Sequence, residues 1–199
     1  MSNRLPEPAR SIPVVDEYDV IVCGAGPAGV AAAICAARTG ASVARIEAHG
    51  CLGGIWTSGL LSWMIDWQNK AGFMKELTDE LIDRGAVDFP VEGYHSYAAD
   101  IETMKRTLEE KCANESIRIR LHTRVVSAAV SDSRITHIVT ESKSGREAWA
   151  AKLFVDATGD GELSAYAGCG YDFGRTGDGK TQPMSLIALV VGIAFQNVS

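Results

Sequence analysis

Hydrophobic positions near the start of the chain predict a strand, a helix and a second strand in close succession. Residues 18–23 form an apolar run rich in valine and isoleucine that ends at a glycine, as in a strand buried on both faces. Residues 27–39 are rich in alanine and predict a helix with a thin face, ended by Gly40. Residues 41–47 predict the next strand. Together these elements predict a right-handed βαβ unit with parallel strands, which places the chain in the α/β class.

The middle of the chain has a different periodicity, which predicts a helical insertion at about residues 60–115. Apolar side chains recur at helical spacing before Gly85 and again after Asp100, a residue type that often caps the N-terminus of a helix. Residues 88–100, which lie between the two predicted helices, are expected to form a loop.

Beyond the insertion, the pattern of apolar positions predicts three strands, at residues 117–130, 134–141 and 147–155. Short polar turns join them, so we expect a small antiparallel three-stranded element. A short helix over residues 162–167 follows. After it we expect a glycine-rich loop over residues 170–180 and an apolar strand over residues 185–195.

The sequence GAGPAG lies at the end of the first predicted strand, and glycine suits each of its three positions for a different physical reason. Gly24 permits a tight turn out of the strand, and Gly26 leaves room for phosphate oxygens to approach the backbone. Gly29 allows the helix to pack closely on the sheet. Pro27 and Ala28 occupy the first helical turn, where unpaired N–H groups and the positive end of the helix attract an anion. The motif therefore predicts a site for the pyrophosphate of a dinucleotide.

An acidic residue, Glu47, ends the second predicted strand at the spacing expected of a dinucleotide-binding unit. Its carboxylate can accept hydrogen bonds from both hydroxyls of an adenosine ribose, and it would repel a 2′-phosphate. Ala48 follows at the same end of the strand and is included in the predicted site.

Composition narrows the class of protein further. The chain has 199 residues and a net charge of −6 with acids and bases interspersed, which argues against a nucleic-acid partner. Its five cysteines form no CxxC pair, so we expect neither a metal site nor a dithiol redox motif. Reduced thiols are typical of cytoplasmic proteins, and no apolar run reaches the ~20 residues of a membrane span. We therefore expect a cytoplasmic protein with no membrane partner.

A second glycine pair lies beyond Glu47, in the segment CLGGIWTSG, and a nicotinamide-binding Rossmann domain does not need it. The segment resembles an element of the glutathione-reductase-like flavoproteins with two dinucleotide-binding domains. Within that superfamily it is most similar to the FAD-dependent oxidoreductase family. The resemblance implies that Gly53 and Gly54 let the backbone pass beside the pyrophosphate and ribitol of FAD. It also implies that Thr57 or Ser58 reaches phosphate oxygens.

Two later segments extend the resemblance over roughly residues 16–168. In LHTRVV, the resemblance implies that the backbone of Val125 pairs with the adenine edge. The segment DATGDG resembles the ATG element that closes the FAD domain, where small residues let the returning strand lie against the cofactor. Ala157, Gly159 and Asp160 join the predicted site on this ground. The implied fold is a Rossmann-like FAD-binding domain.

Residues 1–15 contain prolines and begin with no apolar run, so they are expected to be a flexible arm. The resemblance implies that residues 16–170 are the FAD-binding domain with its helical insertion. Residues 171–199 are expected to be a linker and the first strand of an incomplete substrate domain. Family members continue well beyond the ATG element, so we expect a missing C-terminal portion, a separate chain that supplies it, or a homo-oligomer.

The function that the resemblance implies is oxidation or reduction of a small organic substrate by hydride or electron transfer with FAD. The resemblance implies substrate-side elements in such insertions, so the loop over residues 88–100 is the expected substrate-facing segment. The sequence indicates no catalytic residue. Two alternatives stay open. One is a truncated, non-catalytic dinucleotide-binding module, and the other is an NAD-binding dehydrogenase, which shares the first glycine motif.

Overall fold

This computed structural model describes residues 7–89 and 95–190, which contain nine strands and four α-helices. The strands are β1 (Val14–Cys23), β2 (Val43–Ile46), β3 (Trp63–Ile65), β4 (Val87–Asp88), β5 (Ser96–Ala99), β6 (Arg118–Arg120), β7 (Arg124–Ser131), β8 (Arg134–Ser142) and β9 (Gly145–Asp156). The helices are α1 (Pro27–Arg38), α2 (Phe73–Asp83), α3 (Ile101–Asn114) and α4 (Glu162–Tyr166).

The larger sheet has six strands in the order β6-β2-β1-β9-β8-β7. β1 pairs in parallel with both β2 and β9, and β2 pairs in parallel with β6. The antiparallel three-stranded element is formed by β7, β8 and β9. Because β9 belongs to both parts, the antiparallel element is continuous with the parallel sheet. The α/β class and the Rossmann-like βαβ arrangement are thereby confirmed.

The central strand β1 is buried on both faces, as its apolar run predicts. Val20 and Val22 pack into a core with α1, while Ile21 and Cys23 pack into a second core on the opposite face. The small side chains of α1 allow the helix to lie close to the sheet, with its Gly29 side buried.

The antiparallel strands cover the face of the sheet that α1 does not. Val125, Ile138 and Trp149 pack with Ile21 and Ile46 of the parallel strands, and α4 closes the same core. The indole nitrogen of Trp149 donates to the hydroxyl of the buried Thr140 at 3.0 Å, so this polar group is satisfied. Both faces of the parallel strands are therefore packed.

The single strand predicted over residues 117–130 is wrong, since the chain forms β6 and β7 there instead. His122 lies between them with a φ of +50°, a left-handed conformation that interrupts a strand. β6 joins the parallel strands beside β2, whereas β7 begins the antiparallel element.

The insertion contains both predicted helices, and the side chain of Asp100 caps α3 by accepting a hydrogen bond from the backbone nitrogen of Thr103 at 2.7 Å. The loop predicted over residues 88–100 is wrong at Ser96–Ala99, because these residues form β5, which pairs with β3 and β4 in a second antiparallel sheet. Residues 90–94 of the predicted loop lie outside the described part of the chain. Tyr97 of β5 is fully buried, and its hydroxyl lies 2.9 Å from that of Thr78. The burial of Tyr97, together with pairing to β3 and β4, accompanies a strand whose sequence, SYAA, has little strand character.

The ends of the chain differ in part from expectation. β1 begins at Val14, which pairs with Ala148. The last two residues of the expected arm over residues 1–15 therefore belong to the sheet. Residues 185–190 form no strand in the described part of the chain, and residues 191–195 of the expected strand lie outside it. The division into a cofactor domain and a second domain stays a prediction.

Candidate cofactor site

A cavity of about 690 Å³ lies at the carboxyl ends of β1, β2 and β9. Parallel strands end at the same edge of a sheet, so the loops that follow them meet there. The residues of the predicted site on its wall are Gly24, Gly26, Pro27, Ala28, Glu47, Ala48, Gly54, Ser58, Val125, Ala157, Gly159 and Asp160. The structure therefore brings together residues that span most of the sequence.

Three of the glycines make close contacts within the protein itself. A Cβ on Gly24 would lie 2.1 Å from the carbonyl oxygen of Ala157, and Gly24 has a φ of +100°. A Cβ on Gly29 would lie 2.2 Å from the carbonyl oxygen of Gly24. A Cβ on Gly54 would lie 2.8 Å from the Cα of Gly26. These positions require glycine for folding, whether or not a ligand binds.

Gly26 is different, because nothing in the described protein requires a glycine there. Its φ of −65° suits any residue, and no described heavy atom lies within 4 Å of the position that a Cβ would take. Gly26 is also the N-cap of α1, and no side chain caps the helix at this end. The open space beside Gly26 and the uncapped helix end form a cradle that fits a phosphate group.

The carboxylate of Glu47 is buried and connects the end of β2 to the glycine turn. One of its oxygens accepts a hydrogen bond from the backbone nitrogen of Ala25 at 2.5 Å, and the other accepts one from that of His49 at 2.7 Å. Each carboxylate oxygen can accept more than one hydrogen bond, so Glu47 retains acceptor capacity toward the cavity. Glu47 therefore also holds the turn in place, a second role that the sequence did not indicate.

The second glycine loop folds directly against the first. The backbone nitrogen of Gly53 donates to the carbonyl oxygen of Ala25 at 2.7 Å. Gly53 and Gly54 have φ values of +105° and +53°, which a side chain would strain. The two glycine motifs are separate in the sequence but thus form one continuous wall of the cavity.

Thr57, Gly53 and Gly29 lie behind this wall rather than on it. The side chain of Thr57 is fully buried, and its hydroxyl donates to the carbonyl oxygen of Leu52 at 2.6 Å. The prediction that Thr57 or Ser58 reaches phosphate oxygens therefore depends on Ser58. Ser58 is the hydroxyl residue on the cavity wall, and it donates to the carbonyl oxygen of Gly54 at 3.1 Å.

The segment after β9 closes another side of the cavity. The backbone nitrogen of Ala157 donates to the carbonyl oxygen of Cys23 at 2.8 Å, which fixes the segment beside the end of β1. Asp156 accepts hydrogen bonds from the backbone and hydroxyl groups of both Thr158 and Ser164. Burial raises the pKa of Asp156, but these hydrogen bonds outweigh burial and hold the pKa below its ordinary value. The ionised carboxylate thus stabilises the turn that presents Gly159 and Asp160.

The predicted site residues form only part of the cavity wall. The further residues there are Ala25, Ile46, His49, Ile55, Gly59, Thr123, Arg124, Thr158 and Glu162. Most are neighbours of predicted residues and could have been found by extending each motif by one position. Glu162 directly follows the segment DATGDG, and the packing of α4 brings it to the cavity wall.

Within the described residues, no three His, Cys, Asp or Glu side chains cluster as metal ligands would. None of the described helices has the length and apolarity needed to cross a bilayer. The parallel sheet, the glycine turn at a helix N-terminus and the acid at the end of β2 define a dinucleotide-binding α/β protein.

Comparison with known proteins identifies the family. The model of the family described as FAD dependent oxidoreductase matches residues 19–198, so the chain belongs to the FAD-dependent oxidoreductase family, whose cofactor is FAD. Thiamine thiazole synthase from Pyrococcus furiosus is 35% identical over 124 residues, which cover 62% of this chain and 46% of that protein. The chain thus spans about half the length of the curated relatives of this kind that it matches.

Solved structures share the fold at low sequence identity. A geranylgeranyl bacteriochlorophyll reductase-like protein from Thermoplasma acidophilum superposes with a TM-score of 0.60 at 18% identity, covering 77% of this chain and 42% of that one. THI4 from Thermovibrio ammonificans superposes with a TM-score of 0.56 at 20% identity, covering 75% of this chain and 61% of that one.

Proposed function

We propose that this chain is the FAD-binding portion of a flavin-dependent oxidoreductase that acts on a small organic substrate. In this proposal the cavity at the ends of β1, β2 and β9 holds FAD. The geometry at Gly26 is the observation that carries the proposal, because the open space beside this residue adjoins the uncapped N-terminus of α1 on the cavity wall.

Each wall of the cavity offers a chemically suitable partner for one part of the cofactor. The backbone at Gly26 and the N-terminus of α1 would hold the pyrophosphate, with the hydroxyl of Ser58 on the same wall. Glu47 would accept hydrogen bonds from the adenosine ribose. The backbone of Val125 would pair with the adenine edge, since β7 is an edge strand with backbone groups free on one side.

FAD, once bound, would supply the hydride or electron-pair transfer, while this chain contributes binding and orientation. Ala157, Gly159 and the Gly53–Gly54 loop would let the protein backbone approach the cofactor closely. This loop also favours FAD over NAD. The loop folds against Gly26 and would lie beside a bound dinucleotide. An NAD-binding dehydrogenase does not need this second glycine loop.

We place the protein in the cytoplasm, with no nucleic-acid or membrane partner. All five cysteines, Cys23, Cys35, Cys51, Cys112 and Cys169, are free thiols, which suits a reducing compartment. A further polypeptide portion or a second copy of the chain would complete the environment of the flavin ring and the substrate site.

Titration of the purified chain with FAD and with NAD⁺, followed by the change in protein fluorescence, tests the proposal. We expect saturable FAD binding that is at least about tenfold tighter than NAD⁺ binding, a difference of 1.4 kcal/mol. Equal affinities would favour the dehydrogenase alternative. A folded chain that binds neither molecule would overturn the proposal.

A further inference from the structure

A second cavity, of about 550 Å³, lies at one side of the helical insertion, and we call it the insertion cavity. Its apolar lining residues include Trp56, Trp63, Met64, Ile65 and Met74. Met64 is buried, and Trp56 and Met74 pack against the core, so the cavity has an apolar floor. The volume and the aromatic lining are typical of sites for small organic molecules.

The insertion cavity shares a wall with the proposed cofactor cavity. This wall is a single 3₁₀ turn, Gly54–Trp56. Gly54 and Ile55 line the cofactor cavity, whereas Trp56 lines the insertion cavity. A molecule in the insertion cavity would therefore lie one turn of backbone away from a bound dinucleotide.

The free edge of β3 adds backbone groups to the insertion cavity. In the small sheet β3 is an edge strand that pairs with β5, and the backbone nitrogen of Asp66 donates to the carbonyl oxygen of His95 at 2.6 Å. Alternate residues of an antiparallel strand bond to the same neighbour, so the backbone groups of Trp63 and Ile65 point to the free edge. Both residues line the cavity, which thus offers hydrogen-bonding groups beside its apolar floor.

The backbone is strained at both ends of β3. Leu60, shortly before the strand, has a φ of +61°, and Asp66, directly after it, has a φ of +55°. A left-handed backbone is uncommon outside glycine and costs free energy, above all at a bulky side chain such as leucine. Such strain is found at ligand sites, where the surrounding structure holds it in place. Here the pairing of Met64 with the fully buried Tyr97 of β5, in the expected substrate-facing loop, supplies that support.

Two adjacent polar residues, Asn69 and Lys70, give one side of the insertion cavity a defined chemistry. Both donate to the carboxylate of Asp66, which lies outside the described wall of the cavity. The Lys70 contact, at 3.3 Å, is longer than the roughly 2.7–2.9 Å of a strong charged hydrogen bond, and the Lys70 side chain is 54% exposed. An ammonium group has three N–H donors, so Lys70 can also donate to a ligand that presents an acceptor.

We infer that the insertion cavity binds the substrate of the proposed oxidoreductase, and that this substrate is a flat, apolar molecule carrying a carboxylate. The indole rings of Trp56 and Trp63 would pack against its apolar body, and Lys70 would donate to the carboxylate. The inference rests on the proposed function, because a substrate must lie beside FAD.

Calorimetric titration of the full chain with 2-naphthoate and with 2-naphthylmethylamine tests the inference, because the two probes share a ring system but carry opposite charges. The wild-type protein should bind 2-naphthoate at least about tenfold more tightly than the amine. Lys70→Glu should weaken 2-naphthoate binding at least about tenfold and remove the preference, since it places a repelling charge at the carboxylate. Lys143→Glu, the same change in the exposed turn between β8 and β9, should alter neither.

The apolar side of the site is tested by Trp63→Ala, which should weaken 2-naphthoate binding roughly tenfold because the probe loses an aromatic neighbour. Lys70 is exposed, so Lys70→Glu remains a test even if Trp63→Ala does not fold. Failure of the wild-type protein to bind 2-naphthoate at about 1 mM, equal affinities for the two probes, or undiminished binding of 2-naphthoate to folded Lys70→Glu would each overturn the inference.

Flavin fluorescence of the FAD-loaded chain tests whether the insertion cavity adjoins the cofactor. Addition of 2-naphthoate should change this fluorescence with the midpoint found by calorimetry, after subtraction of its effect on free FAD. Binding of 2-naphthoate with no fluorescence change would overturn the role as a substrate site.

The failure of this inference can be told apart from the failure of the proposed function. If the chain binds FAD but not 2-naphthoate, only the assignment of the insertion cavity is wrong. If the folded chain binds 2-naphthoate but not FAD, the proposed function fails, and the substrate role fails with it.

Discussion

At the scale of single residues, the glycine turn shows how one sequence motif combines two requirements. Gly24 and Gly29 are glycine because other backbone atoms occupy the space of a side chain. Gly26 has no such neighbour among the described residues, and in the proposed function it is glycine because it leaves room for a phosphate. On this proposal the motif serves both folding and binding.

Glu47 has the same double character, which leads to a prediction. Glu47→Gln should lower the free energy of unfolding by about 1–3 kcal/mol, because an amide has a single acceptor oxygen for the two backbone N–H groups of Ala25 and His49. It should also weaken ADP binding by roughly tenfold or more. Urea unfolding followed by circular dichroism and calorimetric titration measure the two effects.

The matched control for this variant is Glu17→Gln, at an exposed position of β1. We expect it to change neither stability nor ADP binding. If Glu47→Gln reduced stability but left ADP affinity unchanged, Glu47 would be a structural residue only, and its proposed contact with the ribose would be wrong.

The sequence predicted these residues because glycine and acid positions follow from the geometry of the βαβ unit. The sequence left Thr57 and Ser58 as alternatives because a hydroxyl next to a phosphate site and a hydroxyl inside a loop have the same local sequence. Glu162 follows the segment DATGDG directly, but its place on the cavity wall depends on the packing of α4 against β7, which is a contact between distant segments.

At the scale of elements, charged side chains join the insertion to the βαβ unit. Arg38 at the end of α1 donates to Glu76 of α2 at 2.7 Å and to Glu115, just past α3, at 2.7 Å. The nearly buried Lys111 of α3 donates to Glu76 at 2.7 Å as well. Glu76 is thus the acceptor that three helices share.

This cluster makes stability depend on acid pH. Hydrogen bonds from Arg38, together with those from Lys111, lower the pKa of Glu76 from 4.5 to about 2. Because the pKa is lower in the folded protein, the contribution to stability is present above pH 4.5 and is lost as the pH falls toward 2. Glu76→Gln should therefore be less stable at neutral pH and should lose less stability than the wild-type protein on acidification.

Urea unfolding at pH 7 and at several values below 4.5 measures this difference, with Glu109→Gln as the control on α3. The control should follow the wild-type curve. Parallel curves for Glu76→Gln and the wild-type protein would show that the cluster contributes nothing measurable, as many exposed ion pairs do.

The sequence predicted the helices of the insertion well because amphipathic periodicity is a local property. It missed β5, because this short strand is defined by tertiary contacts, namely the burial of Tyr97 and the pairing with β3 and β4. The sequence predicted one strand in place of β6 and β7, because nothing in the residue type of His122 indicates its left-handed backbone conformation.

At the scale of the whole molecule, the sheet brings five separate chain segments to one edge. The first glycine turn, the end of β2, the Gly53–Gly54 loop, the start of β7 and the segment after β9 meet around one cavity. The meeting of the segments that follow the parallel strands could be predicted, because parallel strands place their carboxyl ends together. The meeting of the two glycine loops through Gly53 and Ala25 could not, since it is a tertiary contact.

The central claim is that this cavity binds FAD with a phosphate against Gly26, and the affinity of Gly26→Ala for FAD tests it most directly. A methyl group at Gly26 meets no described atom, so we expect the melting temperature to stay that of the wild-type protein. Gly24→Ala is the matched control for packing, and it should lower the melting temperature because its Cβ would lie 2.1 Å from the carbonyl oxygen of Ala157.

We predict that the wild-type chain binds FAD and that Gly26→Ala, with unchanged stability, binds it at least about tenfold more weakly, because a side chain at this position collides with the phosphate. An equally stable Gly26→Ala protein with wild-type affinity for FAD would contradict the account.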